Sequence, residues 1–202
     1  SLVGNPISNS ILTADRSEGI NAFNLDPTRK TLLVIGGSLG SSVLNHAVAE
    51  YLALRGTDDQ GWQILHSVGK NKFDAFMRKT PSFPAYHPHA YIYTPALALA
   101  TADVVLCRAG AMTLAELTAR GVPAIVVPWP GAVRDHQTTN ANTLAQAGAA
   151  VMIRESELSG TRLSNTIASF ISDPDRLDRM AEASRRLGNP RAADDVLEII
   201  LD

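Results

Sequence analysis

Three short polar stretches of this chain carry groups that could bind one ligand together. Gly36-Gly37-Ser38-Leu39-Gly40 is rich in glycine, Glu116 offers a carboxylate, and His136 and Gln137 offer an imidazole and an amide. A glycine-rich turn can hold an anion, and carboxylate, imidazole and amide groups form hydrogen bonds with hydroxyls. These groups suit a phosphorylated ligand that also carries sugar hydroxyls.

The glycine-rich stretch is predicted to bind a phosphate or a diphosphate. It follows an apolar run and opens a helical pattern, so the backbone around Gly36, Gly37 and Gly40 would favour an anion, and Ser38 adds a hydroxyl donor. The stretch is not a P-loop, because no Gly-Lys-Ser/Thr follows it. NAD is not expected, because the next predicted strand does not end at an acidic residue. A turn that serves packing alone is the alternative.

Glu116 is predicted one turn into a helix that follows the apolar run 104–107. The turn between them contains Arg108, Ala109 and Gly110, and small residues let a ligand approach the backbone closely. Ligands of open α/β sheets bind where strands end. The Glu116 carboxylate could then accept hydrogen bonds from both vicinal hydroxyls of a ribose. A solvated surface carboxylate is the alternative.

His136 and Gln137 come just after the fifth predicted strand, where they could hydrogen-bond sugar hydroxyls. Asp135 before them is expected to cap a helix. A solvated histidine at a helix end is the alternative for His136. The remaining histidines are not spaced as metal ligands, and His87 and His89 are expected in a loop. The predicted site is therefore free of metal, with helix dipoles and N–H donors compensating the ligand charge.

Composition argues against several functions. The chain has 202 residues and a formal net charge of −2, so no nucleic-acid partner is expected. Cys107 is the single cysteine, which excludes an internal disulfide and a cysteine-based zinc cluster. No apolar run approaches the roughly 18 residues that span a bilayer, and no signal segment is recognised. A cytoplasmic setting is expected.

Alternating strands and helices must position these groups. The six predicted strands are residues 32–35, 62–67, 90–93, 104–107, 124–127 and 149–153. Helical patterns separate and follow them, which predicts an α/β fold with a doubly wound, parallel six-stranded sheet. Residues 31–202 are predicted as one ligand-binding domain. Residues 1–30 are predicted as a linker with one weak helix near 7–13.

In combination, several segments resemble the carboxyl-terminal half of the MurG family of bacterial glycosyltransferases, glycosyltransferase family 28. The resemblance spans nearly the whole chain. It rests on residues 4–6, 33–40, 102–116, 135–140 and 147–150. Two positions depart from the family pattern: Leu39 stands where Gln is usual, and Ser8 stands where Arg is common.

The resemblance implies a two-domain GT-B enzyme whose carboxyl-terminal, Rossmann-like half binds UDP-N-acetylglucosamine (UDP-GlcNAc). It implies inverting transfer of GlcNAc to lipid I in peptidoglycan synthesis. UDP-GlcNAc would be the donor substrate, and no cofactor would be needed. The residues it assigns are Tyr91 and Ile92 at the uracil, Glu116 at the ribose, Ser38 at the diphosphate, Ala111, Met112 and Thr113 along the nucleotide, and His136 and Gln137 at the GlcNAc.

The same resemblance implies an amino-terminal domain outside this chain that holds lipid I and supplies the general base. No catalytic residue is then expected here, and the chain alone should bind UDP without turnover. The whole protein would be cytoplasmic and peripheral on the inner face of the cell membrane. The alternatives are a nucleotide-sugar-binding subunit of a two-chain transferase, a UDP-GlcNAc epimerase of GT-B type, and a binding module without catalysis.

Overall fold

A parallel sheet forms the centre of the computed structural model, which describes residues 3–55, 61–80 and 83–201. The strands are β1 Lys30–Ile35, β2 Trp62–Ser67, β3 Tyr86–His89, β4 Val104–Cys107, β5 Ala124–Val126 and β6 Ala150–Met152. Their order across the sheet is β3-β2-β1-β4-β5-β6, and every neighbouring pair is parallel. The predicted α/β class and six-stranded parallel sheet are therefore confirmed.

Helices cover both faces of this sheet. In chain order, α1 to α10 are Asn9–Thr13, Arg16–Ala22, Ser42–Arg55, Phe73–Met77, Pro95–Thr101, Ala111–Arg120, His136–Gln146, Gly160–Ile171, Arg176–Leu187 and Ala192–Leu201. Helices α1, α5, α6 and α7 enclose one apolar cluster, and α3, α8 and α9 enclose the other. None of the helices in the described ranges combines the length and the hydropathy of a membrane-spanning segment.

The inner strands are apolar because both of their faces are covered. In β1, Leu32 and Val34 point into one cluster and Leu33 into the other. The chain builds β2 and β3 on one side of β1 and then returns to place β4 on the other side. Strand order therefore reverses between β1 and β4, and open sheets bind ligands outside the carboxyl ends at such a point.

The predictions of a third strand at 90–93 and of a loop at His87 and His89 are wrong. Both histidines lie in β3, an edge strand that is mostly half-buried. Such a strand does not need the continuous apolar run that marks the inner strands. The apolar residues that follow it line a cavity instead, among them Tyr91 and Ile92.

The segment before β1 folds onto the domain as two helices, of which the sequence predicted the first. Asp15 caps α2 by accepting from Ser17 N and Glu18 N, and its hydrogen bond with the Ser17 hydroxyl lowers the pKa of Asp15. A Cβ on Gly19 would lie 2.5 Å from Leu97 O, so α2 and α5 meet backbone to backbone. Glycine is a poor helix former, so the sequence did not predict α2. The close contact between α2 and α5 nevertheless requires a glycine at position 19.

Candidate functional site

Two adjoining cavities open beyond β1 and β4, at the point where the strand order reverses. The turn cavity, of about 560 Å³, is lined by Ile35, Gly36, Gly37, Leu39, Gly40, Ser41, Ser42, Val43, Lys72, Arg108, Gly110, Thr113, Trp129, Gln137 and Glu155. The Glu116 cavity, of about 350 Å³, is lined by Leu33, Ile35, Gly37, Ser38, Ser67, Tyr91, Ile92, Pro95, Ala98, Leu99, Thr113 and Glu116. Ile35, Gly37 and Thr113 border both cavities, so one extended ligand can occupy the two.

The glycine stretch forms a tight turn between β1 and α3. Gly37 and Gly40 have φ angles of +84° and +68°, which residues with a Cβ rarely adopt, and Gly40 N donates to Gly37 O at 3.0 Å. A Cβ on Gly40 would lie 2.1 Å from Val68 O. Ser41 O accepts from Asn45 N at 2.9 Å as α3 begins. The turn therefore lies at a helix N-terminus, where backbone N–H groups and the dipole favour an anion.

Two cations that the sequence analysis did not select also face the turn cavity. Arg108 donates to Ser41 Oγ at 3.0 Å. Lys72 donates from Nζ to Leu39 O at 2.6 Å and to Gly40 O at 3.2 Å. Arg108 follows directly after β4, a placement that the sequence did reveal. Lys72 reaches the turn from the segment after β2, which only the folded chain brings close.

An acidic side chain shares the turn cavity with these cations. Glu155 follows β6 and forms an ion pair with Arg108, with 2.5 Å between Oε2 and Nη2. The side chains of Arg108 and Glu155 are only 16% and 26% exposed, so water screens the pair weakly. A phosphorylated ligand in this cavity would compete with Glu155 for the Arg108 guanidinium.

Two amides attach the start of α7 to the turn after β4. Gln137 Oε1 accepts from Trp129 N at 3.0 Å and from Ala109 N at 3.2 Å. Asn140 Nδ2 donates to Ala109 O at 3.1 Å. Because its oxygen is occupied, Gln137 can offer a ligand in the turn cavity its Nε2 group, which donates hydrogen bonds.

Glu116 projects from α6 into the cavity that carries its name. Ser38, Tyr91, Ile92 and Thr113 line the same cavity, so the fold brings together five of the residues assigned to the donor by resemblance. Burial raises the pKa of Glu116 above its ordinary value. Hydroxyls that donate to the carboxylate would offset this desolvation, and a diol is therefore a suitable ligand.

An aromatic pair stands at one side of the Glu116 cavity. The rings of Tyr91 and Tyr93 meet edge to face, with centroids 4.9 Å apart. Lys70 Nζ lies 5.0 Å and 4.9 Å from the two centroids, and its hydrogen bond with Tyr93 raises the pKa of Lys70. Tyr91 thus gives the cavity a flat, apolar wall whose position is fixed by its neighbours.

Three of the predicted residues line neither cavity. Ala111 borders a separate groove beside Ile7, and Met112 is half-exposed. His136 is exposed, with Nδ1 2.7 Å from Val133 O. Among the described residues, no group of three or more His, Cys, Asp and Glu side chains is arranged to hold a metal ion.

Asp135 occupies the position before α7, but the prediction that its side chain caps the helix is wrong. Its carboxylate accepts from Thr138 Oγ1 at 2.6 Å and from no backbone N–H of the helix start. Capping side chains normally extend from a residue with β-region backbone angles. Asp135 instead has a φ of +52°, as does Arg134, so the loop enters α7 through two left-handed residues.

A family model and the curated relatives identify the same family. Residues 31–196 match the glycosyltransferase family 28 C-terminal domain. The chain is 43% identical over 205 residues to the UDP-N-acetylglucosamine–N-acetylmuramyl-(pentapeptide) pyrophosphoryl-undecaprenol N-acetylglucosamine transferase of Alkalilimnicola ehrlichii, and 38% identical over 206 residues to the protein of that name from Desulforamulus reducens. These matches cover 99% and 98% of the chain but 56% and 55% of the relatives, so the chain spans about half of their length.

A solved structure shows the same relationship in three dimensions. The crystal structure of Acinetobacter baumannii MurG has a TM-score of 0.77 and 30% sequence identity, covering 98% of this chain and 57% of that one. This similarity confirms the predicted Rossmann-like half of a GT-B glycosyltransferase. Since the family domain also matches most of the chain, the protein belongs to glycosyltransferase family 28 and represents its carboxyl-terminal domain.

Proposed function

We propose that this chain is the donor-binding domain of an inverting N-acetylglucosamine transferase and holds UDP-GlcNAc at the carboxyl edge of its sheet. The observation that carries the proposal is the junction of the two cavities, which puts an anion-binding turn with two cations beside a half-buried carboxylate and an aromatic wall. A nucleoside diphosphate has the same order of groups: phosphates, a diol and a flat base. The names of the relatives support GlcNAc as the sugar.

The nucleoside occupies the Glu116 cavity in this proposal. The Glu116 carboxylate accepts hydrogen bonds from the two ribose hydroxyls, which satisfies a half-buried charge. Tyr91 and Ile92 border the uracil, and the Ile92 backbone can pair with the edge of the base. Thr113 lies where the two cavities meet and so contacts the link between ribose and phosphate.

The diphosphate lies against the glycine turn, without a metal ion or another cofactor. The start of α3 contributes its dipole, Ser38 a hydroxyl, and Arg108 and Lys72 positive charge. In the reaction, the bond between the anomeric carbon and the diphosphate oxygen breaks, and the electron pair stays on the departing UDP. Preorganised donors at that oxygen stabilise the developing charge, which is a large term in group transfer.

The GlcNAc extends from the diphosphate toward the start of α7. Gln137 lines the turn cavity and presents its Nε2 group to the sugar hydroxyls. His136 is exposed one residue earlier, so in this proposal it contacts the sugar from the solvent side. By fixing the sugar, the domain presents the anomeric carbon to a nucleophile from the opposite face, which gives inversion.

The acceptor half of the reaction belongs to a further part of the protein. The relatives are almost twice as long as this chain, and an amino-terminal domain in that additional length would hold lipid I and a general base for its sugar hydroxyl. The exposed apolar side chains Leu197, Ile200 and Leu201 of α10 support a contact with such a domain. The complete protein would work in the cytoplasm, on the inner face of the cell membrane.

Calorimetric titration of UDP-GlcNAc tests the proposal. We expect the wild type to bind, and Glu116→Ala to bind about tenfold to a hundredfold more weakly because it loses hydrogen bonds to a charged acceptor. Glu182→Ala is the matched control, since Glu182 is exposed on α9 and pairs with Arg186. Equal affinities of wild type and Glu116→Ala would exclude the ribose role, and absence of binding to the wild type would exclude the donor site.

A further inference from the structure

His66 is a buried histidine that the proposed donor site does not use. It lies at the carboxyl end of β2 and is fully buried. Nδ1 lies 2.9 Å from the Tyr86 hydroxyl, and Nε2 lies 3.0 Å from Asn45 Oδ1. Asn45 Nδ2 in turn donates to Val68 O at 2.9 Å. We call Tyr86, His66 and Asn45 the buried polar chain.

Donors and acceptors in the buried polar chain follow from its last hydrogen bond. Val68 O can only accept, so Asn45 turns its Nδ2 group to Val68 and its oxygen to His66. His66 Nε2 must then carry the proton, while Nδ1 accepts from the Tyr86 hydroxyl. Burial lowers the pKa of His66 to about 3, so the ring is neutral near pH 7, as this assignment requires.

The buried polar chain ends directly beneath the glycine turn. Val68 O lies so close to Gly40 that a Cβ there would be 2.1 Å away, and a Cβ on Gly69 would be 2.5 Å from Leu39 O. Lys72 holds Leu39 O and Gly40 O with its ammonium group. The turn is therefore confined between the Val68–Gly69 backbone and the Lys72 side chain, and the Val68 carbonyl is aligned by Asn45.

Desolvation makes such an arrangement costly unless every group is paired. An apolar residue at position 45 would avoid that cost but would leave Val68 O without its side-chain partner. An apolar residue at position 66 would remove the donor to Asn45 Oδ1, which orients the amide that holds Val68 O. Val68 N and Gly69 N donate to His89 O and Ala90 O, so the other edge of this segment is held independently by the end of β3 and the residue after it. The buried polar chain therefore controls specifically the edge that meets the glycine turn.

We propose that Asn45 and His66 are positioning residues that set the glycine turn for the diphosphate of the nucleotide. This inference rests on the proposed function, because it takes the turn cavity as the diphosphate site. The base and ribose lie in the Glu116 cavity, beside the edge that β3 holds. Loss of the buried polar chain therefore lowers the affinity for UDP and leaves the affinity for uridine almost unchanged.

Affinities for UDP and for uridine, measured by calorimetry on the same variants, test the inference. We expect Asn45→Leu and His66→Leu to lower UDP affinity about tenfold, the equivalent of about one hydrogen bond, with uridine affinity changed less than about twofold. His66→Gln should restore UDP binding, because its amide can donate to Asn45 Oδ1. Tyr86→Phe is the matched control, since it removes the distant hydroxyl but keeps the hydrogen bonds from His66 to Asn45 and from Asn45 to Val68 O.

The outcomes separate this inference from the proposed function. One outcome is that Asn45→Leu and Tyr86→Phe both lose stability yet keep the wild-type ratio of UDP affinity to uridine affinity. That result would overturn the positioning role and leave the donor site intact. A wild type that binds UDP no better than uridine would overturn both. If the leucine variants do not fold, nuclear magnetic resonance of the wild type decides. The Asn45 side-chain amide signal should then move with UDP and not with uridine, and a signal unmoved by UDP would overturn the inference.

Discussion

At the residue scale, Arg108 and Glu155 set the charge of the turn cavity. Arg108 is held by Ser41 Oγ and by Val127 O at 3.3 Å, and its Nη2 also faces Glu155. The guanidinium is thus fixed in place, but part of its charge is neutralised by Glu155 before a ligand arrives. A diphosphate must share Arg108 with that carboxylate and also bear its repulsion.

We therefore predict that Glu155→Gln strengthens UDP binding. The amide keeps the size of the side chain and removes the negative charge, so affinity should rise about twofold to fivefold, within the range measured for single charge pairs near a protein surface. Glu157→Gln is the control, because Glu157 is exposed two residues further along and pairs at 3.9 Å with Arg154. Weaker UDP binding by Glu155→Gln, measured by calorimetry at low salt, would contradict this view of the cavity.

Glu116 gives the site a pH dependence whose sign follows from its burial. Its pKa is raised above the ordinary value of 4.5, so ionisation of Glu116 opposes folding of the empty domain as pH rises through that pKa. Ribose hydroxyls bind the ionised form, so UDP-GlcNAc affinity should increase with pH over the same interval. Glu116→Gln should remove this dependence. A wild-type affinity that is flat between pH 4.5 and 7 would argue against ribose binding at Glu116.

The residues at the site were predictable to different extents. Glu116 and Gln137 follow strand ends in the sequence, so their approach to the ligand site followed from the fold class. Lys72 and Glu155 come from segments after β2 and β6, and only the packed sheet brings them to the same cavity. Their roles depend on distances between remote segments, which periodicity and spacing do not contain.

At the element scale, the turn between β1 and α3 depends on the close approach of two backbones. Gly40→Ala should strain the left-handed position by about 1–2 kcal/mol and also force its Cβ against Val68 O, 2.1 Å away. We expect lower stability in thermal unfolding and a clear loss of UDP affinity. Gly148→Ala is a suitable control, because Gly148 has a φ of +78° with no atom within 4 Å of its Cβ position. Equal UDP binding by the two variants would show that the turn does not hold the diphosphate.

The elements themselves were predicted where one physical signal dominates. The inner strands and long helices follow from burial on both faces and from helical periodicity. The edge strand β3 was predicted at the wrong residues because its half-buried positions accept His87 and His89, so it lacks the apolar run of an inner strand. Helix α2 was not predicted because glycine has a low helix propensity. Gly19 is needed there for the close contact with α5, which the sequence does not show.

At the scale of the whole molecule, strand order places every part of the proposed site. The reversal between β1 and β4 aligns the glycine turn, the start of α6 and the start of α7 along one edge of the sheet. Alternation of strands and helices predicted the doubly wound sheet, and right-handed crossovers restrict the order of its strands. The acceptor side could not be derived in the same way, because the chain spans about half the length of its relatives.

A crystal structure of this domain with UDP-GlcNAc tests the central claim most directly. The proposal predicts the diphosphate within hydrogen-bond distance of the turn at Gly36–Gly40, and both ribose hydroxyls on the Glu116 carboxylate. Arg108 should then contact a phosphate oxygen, and Gln137 Nε2 a hydroxyl of the sugar. A nucleotide bound elsewhere, or one whose ribose lies away from Glu116, would contradict it.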